Sequence, residues 1–332
     1  MNQPTIVVTG AAGFFGSHAA EALLERGFRV VGIDNFCDFY DRSWKEMNLK
    51  SISGPVDIEE LDVTDGPAIN RLIERTKPLA ILHLAAMAGV RPSIEQPGYY
   101  CRVNVEGTTH LLQAAVEHKV QKFIFASSSS VYGNLGRVPF SENDPVAEPI
   151  SPYAATKRAG ELMCYTYWHL YRLPVFCLRF FTVFGPRQRP DLAIHKFTRL
   201  ISRGRPVPVF GDGSTSRDYT FVDDIVGGIL ASLEHCDRYR IYNLGGSDPV
   251  TLSGLIEELE KAVGKKAIID RRPAQPGDVE RTYADLTRSR SELGYQPKTS
   301  LSEGLGKFVQ WFNKYGHLYR LPGDATAEAS VG

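Results

Sequence analysis

Thr5-Ile6-Val7-Val8-Thr9-Gly10-Ala11-Ala12-Gly13-Phe14-Phe15-Gly16 is the stretch on which the fold turns. Residues 4 to 9 are an apolar run of strand length. A glycine turn follows, then a helix-like pattern from Ser17 to Arg26 that Gly27 stops. A second apolar run, Phe28 to Ile33, ends on Asp34. Strand, glycine turn, helix, strand and acid in about thirty residues is the context that makes a glycine motif a dinucleotide site. Gly10, Gly13 and Gly16, with Phe14 and Phe15 in the same turn, let the backbone approach a pyrophosphate, and the start of the helix attracts its charge. Asp34 comes 18 residues after Gly16, with Asn35 beside it. A carboxylate there accepts from both ribose hydroxyls and repels a 2′-phosphate, so NAD is favoured over NADP. An ordinary glycine-rich turn is the competing reading, and the strand, helix and acid around the motif argue against it.

The alternation continues outward. Residues 56 to 61 read as a strand that ends at Asp62 and Val63, a place suited to an adenine contact. Residues 66 to 75 read as helix, and 79 to 84 as a buried strand ending on Leu84. The small residues after it, Ala85 and Ala86 among them, leave room for a ligand at the crevice. One long helix is expected over 99–118, with Asn104 inside it reaching a neighbouring loop. Residues 121 to 126 and 174 to 180 are further strands. Repeated strand-helix units imply an α/β fold, a Rossmann-type doubly wound parallel sheet. Beyond residue 180 proline and glycine thicken, with helices expected near 191–203, 222–235, 251–263 and 300–313. Residues 1–180 are therefore read as an NAD-binding domain that carries the catalytic residues, with segments near 215–245 returning to it. Residues 181–322 form mainly a smaller, mixed α/β substrate domain. The small, polar tail 323–332 is expected to be disordered.

Composition narrows the partners. Of 332 residues, 43% are hydrophobic and 23% charged, ordinary for a globular protein, and Lys+Arg balance Asp+Glu at 38 each. No net basic field exists to attract nucleic acid or an anionic membrane, so any anion site is local. No apolar run approaches a membrane span, and no secretory leader precedes the first strand. Five scattered cysteines without metal-ligand spacing read as reduced thiols, which fits a cytoplasmic protein with no metal site.

The chemistry is carried by Tyr153 and Lys157. Ser151 is a good N-cap and Pro152 suits a first helical turn, so both side chains share one helix face. A lysine ammonium beside a phenol favours phenolate, which is what a general base for an alcohol proton needs. An aromatic under a snorkelling lysine stem gives the same spacing. Ser127 to Ser130 close a central strand at the same crevice, which favours hydroxyl contacts to a ligand over a merely flexible turn.

Taken together, these residues resemble the extended short-chain dehydrogenases/reductases, and within them the nucleotide-sugar 4-epimerases, from about residue 4 to 313. The pieces that carry the resemblance are Thr9 to Gly16, Asp34-Asn35, Ser127 to Gly133, Ser151 to Lys157, Arg217-Asp218-Tyr219 and Gly277-Asp278-Val279. The resemblance implies that Tyr153 is the base, that Lys157 holds the nicotinamide ribose, and that Ser128, with Ser129 and Ser130 nearby, bonds the sugar O4. It implies that Arg217 and Asp278 grip the UDP diphosphate and ribose, and that uracil lies on backbone near Val209. It also implies tightly held NAD regenerated at each turnover, a UDP-sugar substrate, and a homodimer built on the helices near 99–118 and 153–171.

Three features bear on the sugar. Decarboxylating and dehydrating relatives place an acid in the serine segment where this chain has Ser130, and elimination needs a positioned acid. Gly185 to Asp191 looks like the corresponding segment of UDP-glucuronate 4-epimerases, and Arg189 could pair bidentately with a C6 carboxylate, with Thr182 nearby. A surface or phosphate arginine is the competing reading of Arg189. Galactose-type epimerases usually carry a lysine where this chain has Ala88. The reading is UDP-glucuronate 4-epimerase. The alternatives are an epimerase of UDP-glucose/UDP-galactose or of UDP-N-acetylhexosamines, a net dehydrogenase, and a non-catalytic NAD-sensing protein.

Overall fold

The protein is described here from a computed structural model covering residues 3–273 and 280–316. Asp278, with its neighbours Gly277 and Val279, and the tail 323–332 lie outside the described residues.

Seven strands build the central sheet. Six come in the first half: β1 (Thr5–Thr9), β2 (Arg29–Asp34), β3 (Asp57–Glu60), β4 (Ala80–His83), β5 (Lys122–Ser128) and β6 (Val175–Phe180). Three strands outside it follow, β7 (Thr182–Phe184), β8 (Pro206–Phe210) and β9 (Ser216–Phe221), before β10 (Tyr239–Leu244) returns to the sheet beside β6. The order is β10-β6-β5-β4-β1-β2-β3, and every pairing is parallel. The Rossmann-type expectation is met. β11 (Pro249–Thr251) pairs with β9, and β12 (Ile268–Arg272) with β8, in two small sheets.

The helices are α1 (Phe14–Glu25), α2 (Arg42–Lys50), α3 (Gly66–Thr76), α4 (Val90–Glu95), α5 (Pro97–Cys101), α6 (Gly107–Glu117) and α7 (Pro152–Tyr171). They continue with α8 (Ala193–Ser202), α9 (Val222–His235), α10 (Leu252–Val263), α11 (Thr287–Leu293) and α12 (Leu301–Tyr315). Alternate strand residues face opposite layers. Val7, Ile81, Phe123 and Cys177 pack with α3, α6 and α7. Ile6, Leu82, Ile124 and Leu178 pack with α1 and α9, in a core that runs on without a break to Leu255, Leu305 and Phe308. The C-terminal elements are thus tied to the sheet by a shared apolar core.

Two expectations need correction. The helix over 99–118 is not regular: a π-helical turn, Arg102–Glu106, joins α5 to α6 within one uninterrupted helical run. The wider turn accommodates Asn104, whose buried side chain is bonded across to another segment. Helix α2 was not expected; Asp41 caps it by accepting from the Ser43 amide, and its buried face carries Trp44, Lys45 and Asn48. Among the described residues, no helix is long and apolar enough to cross a membrane.

Candidate active site

Register decides where the site lies. Thr9 stands level with Ile33 and His83, His83 with Phe125, and Ser128 with Phe180. The carboxyl ends of β1, β2, β4, β5 and β6 therefore open on one edge, the usual ligand edge of a doubly wound sheet. A cavity of about 600 Å³ lies along it and extends under Pro208, Phe210 and Arg217 of the C-terminal part.

The sheet end of the cavity fits a dinucleotide. Gly10, Gly13, Phe14, Phe15 and Gly16 line it. Gly13 caps α1 without a side chain, so no side-chain oxygen occupies the first-turn amides, and these residues border the cavity. Gly16 serves packing: a Cβ there would sit 1.9 Å from the Gly10 carbonyl oxygen, so helix and turn meet this closely only without a side chain. Asp34 closes β2. Its carboxylate accepts from the Ala12 amide (3.2 Å), the Phe36 amide (2.9 Å) and Lys45 Nζ (3.1 Å). Asn35, Val63, Leu84, Ala85 and Ala86 also border the cavity. The residues present fit NAD: open amides for the pyrophosphate and, beside Asn35, a fixed carboxylate for the ribose.

Two residues expected at the cofactor, Asp62 and Asn104, have side chains bonded within the protein, Asn104 to the neighbouring loop as its place in the helix suggested. Asp62 is not on the cavity wall. It accepts from Asn35 Nδ2 (2.8 Å) and from the Thr64 amide and hydroxyl (2.9 and 2.8 Å). Burial works against its ionisation, but these bonds outweigh it and hold the carboxyl below its usual range. Asn104 is also off the wall. It brackets Met87, accepting from its amide (2.8 Å) and donating to its carbonyl (2.9 Å), and donates again to Thr156 (3.0 Å). Its amide is fully used in fixing the loop after β4, whose Leu84 to Ala88 do face the cavity. His83 is bonded on both ring nitrogens, to Thr9 and Thr108, and burial lowers its pKa to about 3.

Helix α7 brings the reactive groups in. Ser151 accepts from the Ala154 amide at 3.2 Å, as its N-cap role predicts, and Pro152 occupies the first turn. Gly160 lets the helix lie directly on β5, since a Cβ there would come within 2.4 Å of the Phe125 ring. Tyr153, Lys157 and Ser128 then meet at the cavity wall. Burial pushes the Tyr153 phenol above its ordinary value, while a hydrogen bond with Ser128 and the Arg189 guanidinium pull it back. This departs from the expected lowering by Lys157. The ammonium instead donates to the Ala126 carbonyl at 2.8 Å and lies 5.2 Å from the Phe125 ring centre. Burial brings its own pKa down to about 7. Ser128 Oγ donates to Ser130 Oγ (3.1 Å), so Ser130 supports Ser128 from behind; Ser130 and Ser129 are off the wall.

Glu161, one turn beyond Lys157, is a residue that sequence reasoning missed. Its buried carboxylate accepts from Ser127 Oγ (2.6 Å), from Arg179 Nε and Nη2 (2.8 and 2.9 Å) and from Arg158 (2.9 Å). It ties α7 to β5 and β6 behind the site and fixes Ser128 relative to Tyr153. Its spacing of four from Lys157 was the available signal. Lys45 was missed because α2 was missed.

On the sugar side, Thr182, Arg189 and Arg217 border the cavity. Arg189 lies 4.8 Å over the Phe39 ring and is paired with Asp191. Val209 is buried, and its neighbours Pro208 and Phe210 form the wall. Among the described residues, the only carboxylates on the wall are Asp34 and Asp191. Among the described residues no group of three or more His, Cys, Asp or Glu could hold a metal ion.

A Rossmann sheet with a tyrosine-lysine helix at its ligand edge defines an extended short-chain dehydrogenase/reductase. The GDP-mannose 4,6 dehydratase family model matches residues 7–308, and the chain belongs to that family. It is 41% identical over 308 residues to the UDP-glucuronate 4-epimerase of Thermodesulfobacterium geofontis, covering 92% of this chain and 95% of that one. The UDP-glucuronic acid 4-epimerase of Bacillus cereus, solved with UDP-glucuronic acid and NAD, superposes with a TM-score of 0.87 at 36% identity, over 93% of this chain and 99% of that one. The UDP-glucose 4-epimerase of Thermotoga maritima, solved with UDP-glucose, also has a TM-score of 0.87, at 33% identity and the same coverages.

Proposed function

We propose that the protein is a UDP-glucuronate 4-epimerase, which interconverts UDP-glucuronate and UDP-galacturonate. The observation that carries the choice of sugar is Arg189: a guanidinium on the same cavity wall as Tyr153, opposing the burial that raises the phenol's pKa. A base that removes the 4-hydroxyl proton and a cation within electrostatic reach fit a hexuronate, whose carboxylate sits next to C5. Relatives of both the uronate and the neutral kind share the fold, so the fold alone does not choose between them.

Bound NAD supplies hydride exchange at C4 and ends each turnover oxidised. Tyr153, as phenolate, takes the 4-hydroxyl proton, with the Ser128 hydroxyl bonded beside it to hold O4. The 4-keto sugar turns, and the same phenol returns the proton after reduction from the other face. Lys157, whose ammonium donates to the Ala126 carbonyl beside Tyr153, holds the nicotinamide ribose. Arg217 grips the UDP diphosphate, and Asp278, outside the described residues, is assigned by the resemblance to the UDP ribose. The serine at 130, in place of an acid, leaves elimination without a proton donor there, which supports epimerisation over the dehydration of the family's namesake. Residues 1–180, with the return near 215–245, hold the cofactor, and 181–322 cover the UDP-sugar.

We further infer a cytoplasmic homodimer. Helix α7 packs beside α5, the π-turn and α6. It leaves Leu162, Tyr165, Leu170 and Tyr171 exposed, which suits pairing with a second copy. The five free cysteines fit a reducing compartment.

The test is to incubate purified protein, without added cofactor, with UDP-glucuronate, UDP-glucose and UDP-N-acetylglucosamine, and to resolve the products. UDP-galacturonate should form fastest, and Tyr153→Phe should lose at least about a hundredfold in kcat while retaining NAD. Faster turnover of UDP-glucose would sink the uronate assignment.

A further inference from the structure

The fork of Arg189 is already engaged. Its Nε donates to Asp191 Oδ1 at 2.9 Å and its Nη2 to Oδ2 at 2.7 Å, the bidentate geometry that a substrate carboxylate would also offer. Both side chains border the cavity that holds Tyr153. They differ in exposure: 17% for the arginine side chain against 45% for the aspartate.

We propose that Asp191 is an internal stand-in for the substrate's carboxylate, which occupies Arg189 until a hexuronate displaces it and thereby sets selectivity for charged sugars. The proposal rests on the reading of Arg189 as the uronate contact. A guanidinium desolvated against Phe39 needs a counter-charge, and Asp191 supplies one. Exchanging one carboxylate for another keeps the arginine paired. The displaced aspartate, the more exposed of the two, moves into water at small cost. A neutral hydroxymethyl group cannot make this exchange, because it would leave both charges uncompensated. Asp191 is outside every helix and strand, so its departure asks no element to move. Asp191 lies in the connection between β7 and α8, which turns at Gly185 and Arg187 with positive φ, and the Leu192 amide bonds back to the Arg189 carbonyl. Phe39 stays under the guanidinium throughout.

Displacement predicts a gain on removing Asp191, which structural damage does not produce. In steady-state kinetics, Asp191→Asn and Asp191→Ala should each lower KM for UDP-glucuronate by about threefold to tenfold, the scale of a half-exposed ion pair. KM for UDP-glucose should stay within about twofold of the parent value. In an Arg189→Ala background, Asp191→Asn should bring no gain. An unchanged or higher KM for UDP-glucuronate in both aspartate variants would overturn the proposal, as would a gain that survives without Arg189. If the parent protein turns over UDP-glucuronate and the gain is missing, only displacement fails. If the parent does not turn it over, the substrate reading fails and the proposal with it.

Discussion

Lys157 sits with its ammonium on the Ala126 carbonyl, and burial brings its pKa to about 7 from 10.5. Unfolded, the lysine binds its proton up to about pH 10.4. Between those values the unfolded chain holds more protons than the folded one, so stability from this group rises with pH. Below about pH 7 both states are charged and the full burial penalty is present; above about pH 10 it is gone. Lys157→Met should therefore be more stable than the parent at neutral pH while losing turnover. Urea titrations of the cofactor-free proteins should show that advantage shrinking from about pH 7 to about pH 10. A constant difference across that range would mean that the buried ammonium is not the source. The pair's spacing was legible in the sequence because a helix face follows from residue number. The direction in which the ammonium points was not, because it depends on a carbonyl from β5.

At the scale of elements, the β1–α1 unit is held by backbone contact. A Cβ at position 16 would overlap the Gly10 carbonyl oxygen at 1.9 Å, and neither atom belongs to a side chain that can turn away. Gly16→Ala should lower the urea midpoint by the equivalent of about 1–3 kcal/mol or more and release NAD on purification, read as lost absorbance of bound cofactor. A variant that keeps both would mean the turn can shift as a body. This unit was readable at once: glycine spacing, apolar runs and the terminal acid are all local. Helix α2 was not, because its Lys45 and Asn48 bury against Asp34 and the Ala12 carbonyl and its Trp44 against His195, partners that periodicity cannot reveal. The π-turn at Arg102–Glu106 was equally hidden. It depends on Asn104 reaching Met87 and Thr156, one of them far along the chain.

For the whole molecule, the exposed apolar residues of α7 carry the expectation of a dimer. Leu162 is 51% exposed and Leu170 61%, beside Tyr165 and Tyr171. Leu162→Glu with Leu170→Glu should halve the mass measured by light scattering while leaving the monomer folded by circular dichroism. An unchanged dimer would move the interface elsewhere, and a monomeric parent would remove the proposal. The apolar stripe of α7 was visible in sequence. Which part of it packs on β5 and which part stays outside was fixed by Gly160 meeting Phe125.

The sequence by itself determined the parallel sheet, the phosphate turn with Asp34, and the helix that carries Tyr153 and Lys157. Each is written in residues close together in the chain, where period and turn chemistry act directly. Tertiary structure alone decided how these parts work on one another. Register across β1, β4, β5 and β6 brought the turn, Ser128 and α7 to one edge. Glu161 locked α7 to that edge through Ser127 and Arg179. The fold of the segment after β7 put Arg189 within electrostatic reach of Tyr153 and gave it Asp191 as a partner. Charge and burial at a site are summed over neighbours distant in sequence, and only the folded chain specifies which neighbours those are.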